Sequence, residues 1–278
     1  MIPVKQTAAV WTALVMFSGC AAQSAVQTPS DTLNAYFFEA GKADAVLLYT
    51  DESAVLIDTG EAGYGSEILS YMKEHGIESL DCLIITHFDK DHVGGAAQIL
   101  DNTKVSRVLV SNSPKDSDEY TAFVRSLEMN DLSAEVITGT DEEVFEIDGV
   151  LYSVDGPDEE EYDKDPSNNS SLITSVTYGS NSILLTGDAE NDRIKEYLIA
   201  HSGDYDVLKV PYHGNYLKQL AKLVDAVTPE TAVITCSEDE GGEEKTAAVL
   251  AAEDIETYYT YNGGVTVTSD GKDITVSQ

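Results

Sequence analysis

The chain has 278 residues, 42% of them hydrophobic, which is enough for one sizeable core, and nothing in its composition marks a second fold. Asp and Glu number 50 against 16 Lys and Arg, a net charge of −34. That balance argues against tight binding to a polyanion, because nucleic-acid affinity comes mostly from Lys and Arg neutralising phosphates, and its ordinary meaning is a solvated surface.

The N-terminus carries Lys5, an apolar run over residues 7–17 and then Phe17-Ser18-Gly19-Cys20. This reads as a lipoprotein-type signal peptide over residues 1–19, with Cys20 as the lipid anchor, and it resembles a bacterial lipobox. A membrane span needs roughly 20 apolar residues, so cleavage and lipidation fit the segment better than a spanning helix. The expected location is exported, anchored by lipid to the outer face of a bacterial membrane. Residues 20–33 are small and polar and read as a flexible tether, leaving 34–278 as one domain.

The domain opens with strand patterns at 34–38, 45–49 and 53–57, the last ending in Asp58-Thr59-Gly60. Residues 66–75 carry apolar positions at Ile68, Leu69, Tyr71 and Met72 with Gly76 beyond, an amphipathic helix whose dipole accounts for His75 at its end. His201 closes the helix of 194–200 in the same way. The apolar run Cys82-Leu83-Ile84-Ile85 is followed by Thr86-His87-Phe88-Asp89-Lys90-Asp91-His92-Val93-Gly94-Gly95. Helix signals follow at 94–100 and 120–130, and strand signals at 107–110, 134–137 and 150–154. Strands at 171–178 and 182–186 form a hairpin through Gly179-Ser180-Asn181, and the second delivers Gly187-Asp188. A strand at 206–211 delivers Tyr212-His213-Gly214, and a strand at 232–236 with a hairpin over 264–276 ends the chain. Cys82 and Cys236 read as buried thiols at strand ends rather than a disulfide. The acidic stretches 158–165 and 238–244 read as loop surface.

Two imidazoles and two carboxylates within six residues, in a loop directly after a strand, make a metal site: such a loop can turn several side chains toward one point, and His and Asp supply lone pairs for a divalent cation. The H-x-D-x-D-H pattern followed by Val-Gly-Gly resembles the signature of the metallo-β-lactamase superfamily, with Asp89 where the commonest form has a second His. That variant resembles the hydrolase domain of ComEC-type competence proteins, the DNA-uptake channels. The resemblance implies an α/β fold, a four-layer αββα sandwich with mixed sheets.

It also implies roles. Asp58 braces the metal loop, Asp188 bridges two metals and His213 is the last ligand. The implied metal set is His87, Asp89, Asp91, His92, Asp188 and His213, holding one or two divalent ions, Zn²⁺ or, given the oxygen content, Mn²⁺. Asp91, His92, Asp188 and His213 would hold the firmer ion; His87, Asp89 and Asp188 would hold the weaker. The nucleophile would be a metal-activated water, with Asp89 or Asp91 passing the proton to the leaving group. Two departures stand out: Tyr212, a candidate substrate-binding residue, stands where the pattern usually has one of two adjacent histidines, and no His precedes Asp188. The region of the missing His, Asn168-Asn169-Ser170-Ser171-Leu172, offers Asn168 and Ser171 either as hydrogen-bond partners of substrate or as turn caps.

The expected activity is a ComEC-like phosphodiesterase or nuclease, on DNA or a small phosphodiester. Alternatives are a hydrolase of a small ester, lactam or phosphorylated metabolite, or a catalytically inactive lipid-anchored binding protein. Beyond the membrane anchor and the substrate, no protein partner is implied.

Overall fold

The computed structural model describes residues 32–139 and 142–278; the signal peptide, Cys20 and most of the tether lie outside the described residues. Several central strands are buried at every position and almost wholly apolar. In Ala54–Ile57, Cys82–Ile85 and Thr231–Ile234 all four residues are buried. A strand with no polar face has to be covered on both sides, and that requirement sets the layering.

Among the described residues two large sheets form. The first has eight strands in the order Ile274–Ser277, Val265–Ser269, Leu33–Phe37, Val46–Tyr49, Ala54–Ile57, Cys82–Ile85, Val108–Val110 and Ala134–Val136. The second has seven, ordered Glu256–Tyr259, Thr231–Ile234, Val207–Lys209, Asn181–Leu185, Ile173–Tyr178, Val150–Asp155 and Glu143–Ile147. Side-chain alternation splits each strand between two cores. Val55, Ile57, Cys82 and Ile84 of the first sheet meet Ile183, Leu185, Val207 and Val233 of the second in a core between the sheets. Leu56, Leu83 and Ile85 point the other way, onto the helices Gly65–Glu74, Ala96–Asn102 and Asp118–Met129. Leu184, Leu208, Ala232 and Ile234 likewise pack on Asn191–Ala200, Leu220–Val227 and Glu244–Ala252. The result is the four-layer αββα sandwich with mixed sheets.

Within each sheet one half is parallel. Ala54–Ile57, Cys82–Ile85, Val108–Val110 and Ala134–Val136 run together, as do Asn181–Leu185, Val207–Lys209, Thr231–Ile234 and Glu256–Tyr259. Parallel strands gather their carboxyl ends at one rim, so the loops carrying Asp58, His87, Asp188, His213 and Thr235 share one edge of the sandwich. Among the described residues no helix is long and apolar enough to cross a membrane.

Several elements depart from the sequence expectation. The helix expected over 94–100 runs over Ala96–Asn102, and a separate short helix, Lys90–Val93, precedes it inside the H-x-D-x-D-H loop. A Cβ on Gly95 would lie 2.4 Å from the Thr59 carbonyl oxygen, so the Gly-Gly pair lets this junction press against the Asp58-Thr59-Gly60 loop. The strand expected from 171 starts at Ile173 and leaves Ser171 in the loop. The acidic stretch 238–244 is only partly surface. Its Gly241 and Gly242 pack under the His213 loop, and Glu244 begins a helix. Cys82 and Cys236 are separate buried thiols.

Candidate metal centre

Three imidazoles are held by their Nδ1 atoms. His92 Nδ1 donates to Asp58 Oδ2 at 2.7 Å, and His213 Nδ1 donates to the Thr235 carbonyl oxygen at 2.9 Å. Thr86 Oγ1 gives its only proton to Asp58 Oδ2 at 2.6 Å, so toward His87 Nδ1, 3.1 Å away, it accepts. With Nδ1 carrying the hydrogen in each ring, the neutral imidazole presents its Nε2 lone pair on the opposite side. The three Nε2 atoms are buried and have no hydrogen-bond partner, and neither has Asp188 Oδ1. Buried polar atoms are nearly always paired, so unpaired ones gathered in adjoining donor groups call for an occupant.

The oxygen donors stand among them. Asp188 Oδ2 is 3.0 Å from His213 Nε2 and 3.4 Å from His92 Nε2, and Asp91 Oδ2 is 3.5 Å from His213 Nε2. None of these approaches has hydrogen-bond geometry at Nε2. His87, His92 and Asp188 form one group able to hold an ion, and Asp91, His92 and His213 form an adjoining one. Nitrogen and oxygen donors of this kind, closed off from water, fit a divalent transition metal, so the residues match the group expected of them.

Asp89 is oriented differently. Its Oδ1 accepts from Lys115 Nζ at 2.5 Å and from Ser167 Oγ, and it joins none of the donor groups among the described residues. Ser171 lies against the cluster, its Oγ 3.4 Å from His87 Nδ1 and accepting from the Asp188 amide at 3.2 Å. Asn168 is turned toward Glu190, donating to Oε1 at 2.9 Å. The half-buried Tyr212 ring lies 5.8 Å from Lys42 Nζ. His75 and His201 are remote from the cluster and stack on Tyr71 and Tyr197 of their own helices.

Two residues that the motifs did not single out complete the site. Lys209 is 1% exposed; its Nζ pairs with Asp44 Oδ2, donates to the Gly187 carbonyl at 2.8 Å and lies 3.7 Å from Asp188 Oδ1. Asp44 in turn accepts from Thr235 Oγ1 at 2.5 Å, beside His213 Nδ1 at 3.4 Å. The available signal was a charged residue inside the apolar strand at 206–211, because a lysine buried that deeply needs a carboxylate partner.

The backbone that delivers His213 is strained. Tyr212, His213 and Gly214 have φ of 53°, 52° and 73°, three consecutive left-handed residues of which two are not glycine. Gly242 N donates to the His213 carbonyl at 2.8 Å and Glu243 N to that of Gly214 at 3.0 Å, bracing the turn from below.

Charge in the pocket follows from these contacts. Burial alone raises a carboxyl's pKa, but His213 and His92 overcome it and hold Asp188 well below the usual range. Burial alone lowers an imidazole's pKa; Asp188 and Asp44 overcome that at His213 and hold it up at about 9, and Asp188 with Asp58 raises His92 well above its ordinary value. At His87 burial prevails, helped by His92, and its pKa falls to about 4.

A family model for the metallo-beta-lactamase superfamily matches residues 39–237. The chain belongs to that superfamily. It is 31% identical over 202 residues to ComE operon protein 3 of Bacillus subtilis, covering 66% of this chain and 26% of that protein. It is 30% identical over 203 residues to Recombination protein 2 of Haemophilus influenzae, covering 71% and 23%. The chain thus spans about a quarter of the length of these curated relatives. Among solved structures, the metallo-beta-lactamase fold protein YhfI of Bacillus subtilis superimposes with a TM-score of 0.57 at 8% identity, covering 88% of this chain and 100% of that one, a likeness of fold.

Two outcomes are expected. His213 carries a proton below pH of about 9 that must leave when its Nε2 takes a cation, so divalent-metal affinity of this superfamily member should rise with pH up to about 9. Calorimetry at pH 7 in buffers of different ionisation enthalpy should show proton release; binding without release would contradict the assignment. In Gly241→Ala, a Cβ would meet the His213 carbonyl oxygen at 2.5 Å at a residue with φ +85°. The variant should lose roughly 1–3 kcal/mol of stability and bind metal more weakly, measured by urea unfolding and metal titration.

Proposed function

We propose that this metallo-beta-lactamase superfamily protein is a metal-dependent hydrolase acting on phosphodiester bonds. The observation that carries the reading is the pair of adjoining donor groups, His87, His92 and Asp188 beside Asp91, His92 and His213, in which all three Nε2 atoms are buried and unpaired, at the rim where the strand ends open. A divalent cation bound there, Mn²⁺ or Zn²⁺, supplies a water activated near neutral pH and polarises a substrate oxygen. Every other part is the protein's own. Asp58, Thr86 and Thr235 fix the imidazole tautomers, Lys209 and Asp44 hold the Gly187–Asp188 turn, and no side-chain nucleophile is required. Asp91, 19% exposed and 3.5 Å from His213 Nε2, is placed to accept a proton and return it to a leaving group.

The resemblance of the H-x-D-x-D-H loop to the hydrolase domain of ComEC-type competence proteins, in line with the 31% identity to ComE operon protein 3, favours a phosphodiester over an ester or lactam. The net charge of −34 favours a short phosphodiester over a long duplex. The sequence of residues 1–20 supports an exported protein carried on a membrane by lipid at Cys20.

Purified protein should hydrolyse bis(p-nitrophenyl) phosphate with Mn²⁺ or Zn²⁺ and stop in excess chelator. Asp188→Ala should lower turnover at least about a hundredfold together with metal content, as loss of a shared ligand demands. Metal-replete wild-type protein that turns over no phosphodiester would refute the assignment. Cys20→Ala should move the protein from the membrane fraction to the soluble exported fraction and abolish labelling by radioactive palmitate; unchanged fractionation would refute the anchor.

A further inference from the structure

A cleft of about 420 Å³, within the range that takes a small ligand, is joined to the H-x-D-x-D-H loop through two of its lining residues, Lys115 and Ser167, which bond Asp89. Three of its lining residues are poised for recognition. Lys115 Nζ, from a loop, and Ser167 Oγ, from the short helix Pro166–Asn169, converge on one oxygen, Asp89 Oδ1. A carboxylate oxygen held by an ammonium and a hydroxyl shows how this corner receives an anion. On the same wall Asn112 donates through Nδ2 to the Glu159 carbonyl at 3.3 Å, while its Oδ1 is buried with no partner. An unpaired buried acceptor in a cleft is satisfied by a ligand that brings an O–H or N–H. Glu160 and Glu161 also line it, and their charge opposes an extended polyanion while leaving room for a single anionic group against Lys115.

We propose that Lys115, Ser167 and Asn112 form a substrate subsite for one anionic group with a neighbouring hydroxyl or amine donor, the chemistry of a phosphate ester of nucleotide size, and that Asp89 fills its anion position until substrate displaces it. The subsite rests on the hydrolase reading for its place in turnover, and on the cleft alone for binding. It also explains why Asp89 stands apart from the other donors of the H-x-D-x-D-H loop: its carboxylate is the internal occupant of the neighbouring subsite.

The test uses metal-loaded, desalted protein and inorganic phosphate as the probe, with calorimetry on wild type, Lys115→Met, Lys115→Arg and Ser167→Ala. Removing one charge-assisted hydrogen bond should weaken phosphate binding about tenfold or more in Lys115→Met, and a few-fold in Ser167→Ala. Lys115→Arg should stay within about threefold of wild type, because the charge and donor remain. Bound metal and thermal midpoint should be unchanged, since Lys115 is 41% exposed and outside the donor cluster. In parallel, KM for bis(p-nitrophenyl) phosphate should rise in Lys115→Met while KM for uncharged p-nitrophenyl acetate does not. Phosphate bound equally by wild type and Lys115→Met, or by neither, overturns the subsite. Turnover with no Lys115 effect removes the subsite and leaves the hydrolase reading intact. Lys115-dependent phosphate binding in a protein without turnover keeps the subsite and removes the hydrolase.

Discussion

Asp188 carries a negative charge into a place almost without water, and the surrounding structure is arranged around that fact. Isolated, such a charge would cost several kcal/mol, and the protein answers it with partners on every side. Nearby carboxylates are already matched: Asp58 with the His92 Nδ1–H, and Asp44 with the Lys209 ammonium. Asp188 and Asp91 face chiefly imidazole Nε2 atoms; the carboxylates favour a proton on His92 and His213, and each ring offers a lone pair once that proton leaves. Negative charge without a dedicated donor is therefore concentrated where three nitrogen lone pairs also point. A cation satisfies that arrangement; another side chain does not.

Holding the donors in this array depends on strand ends and on close backbone approach. Parallel strands bring Asp58, His87, Asp188 and His213 to one rim, but the last adjustments come from loops pressed together more tightly than most side chains allow. Gly95 lies against the Thr59 carbonyl, and Gly241 against that of His213. Conformational strain at Tyr212 and His213 is offset by two backbone hydrogen bonds from Gly242 and Glu243. Lys209 works in the same sense from inside, tying the Gly187 carbonyl to Asp44 so that the turn before Asp188 has one position.

Much of this was legible before any coordinates. Alternating and continuous apolar runs located most of the strands, and the H-x-D-x-D-H loop with Gly187-Asp188 and Tyr212-His213 marked strand ends as the site. The helices at Leu220–Val227 and Glu244–Ala252 and the strand Glu143–Ile147 escaped notice. The first two follow turn-poor or acidic stretches that hide their apolar stripe, and the third is an edge strand whose Glu-Val-Phe-Glu-Ile pattern is only half buried. The Gly241-Gly242 pair was read with its acidic neighbours as surface, because composition cannot show that a loop folds back under a residue 28 positions earlier in the chain.

Sequence alone determined the chemistry available: which residue types stand at strand ends, how closely the imidazoles and carboxylates of one loop are spaced, and which family's pattern they follow. These are local properties, set by residue identity and by the two-residue period of a strand. Only the tertiary structure decided how each donor is used. Asp44 and Thr235 are 191 positions apart and meet by hydrogen bond, and Asp89 is drawn to Lys115 and to Ser167 of a short helix 78 positions away. Direction, burial and pairing are properties of the packed layers, since a carboxylate turns toward whichever cation or hydroxyl the fold places within reach.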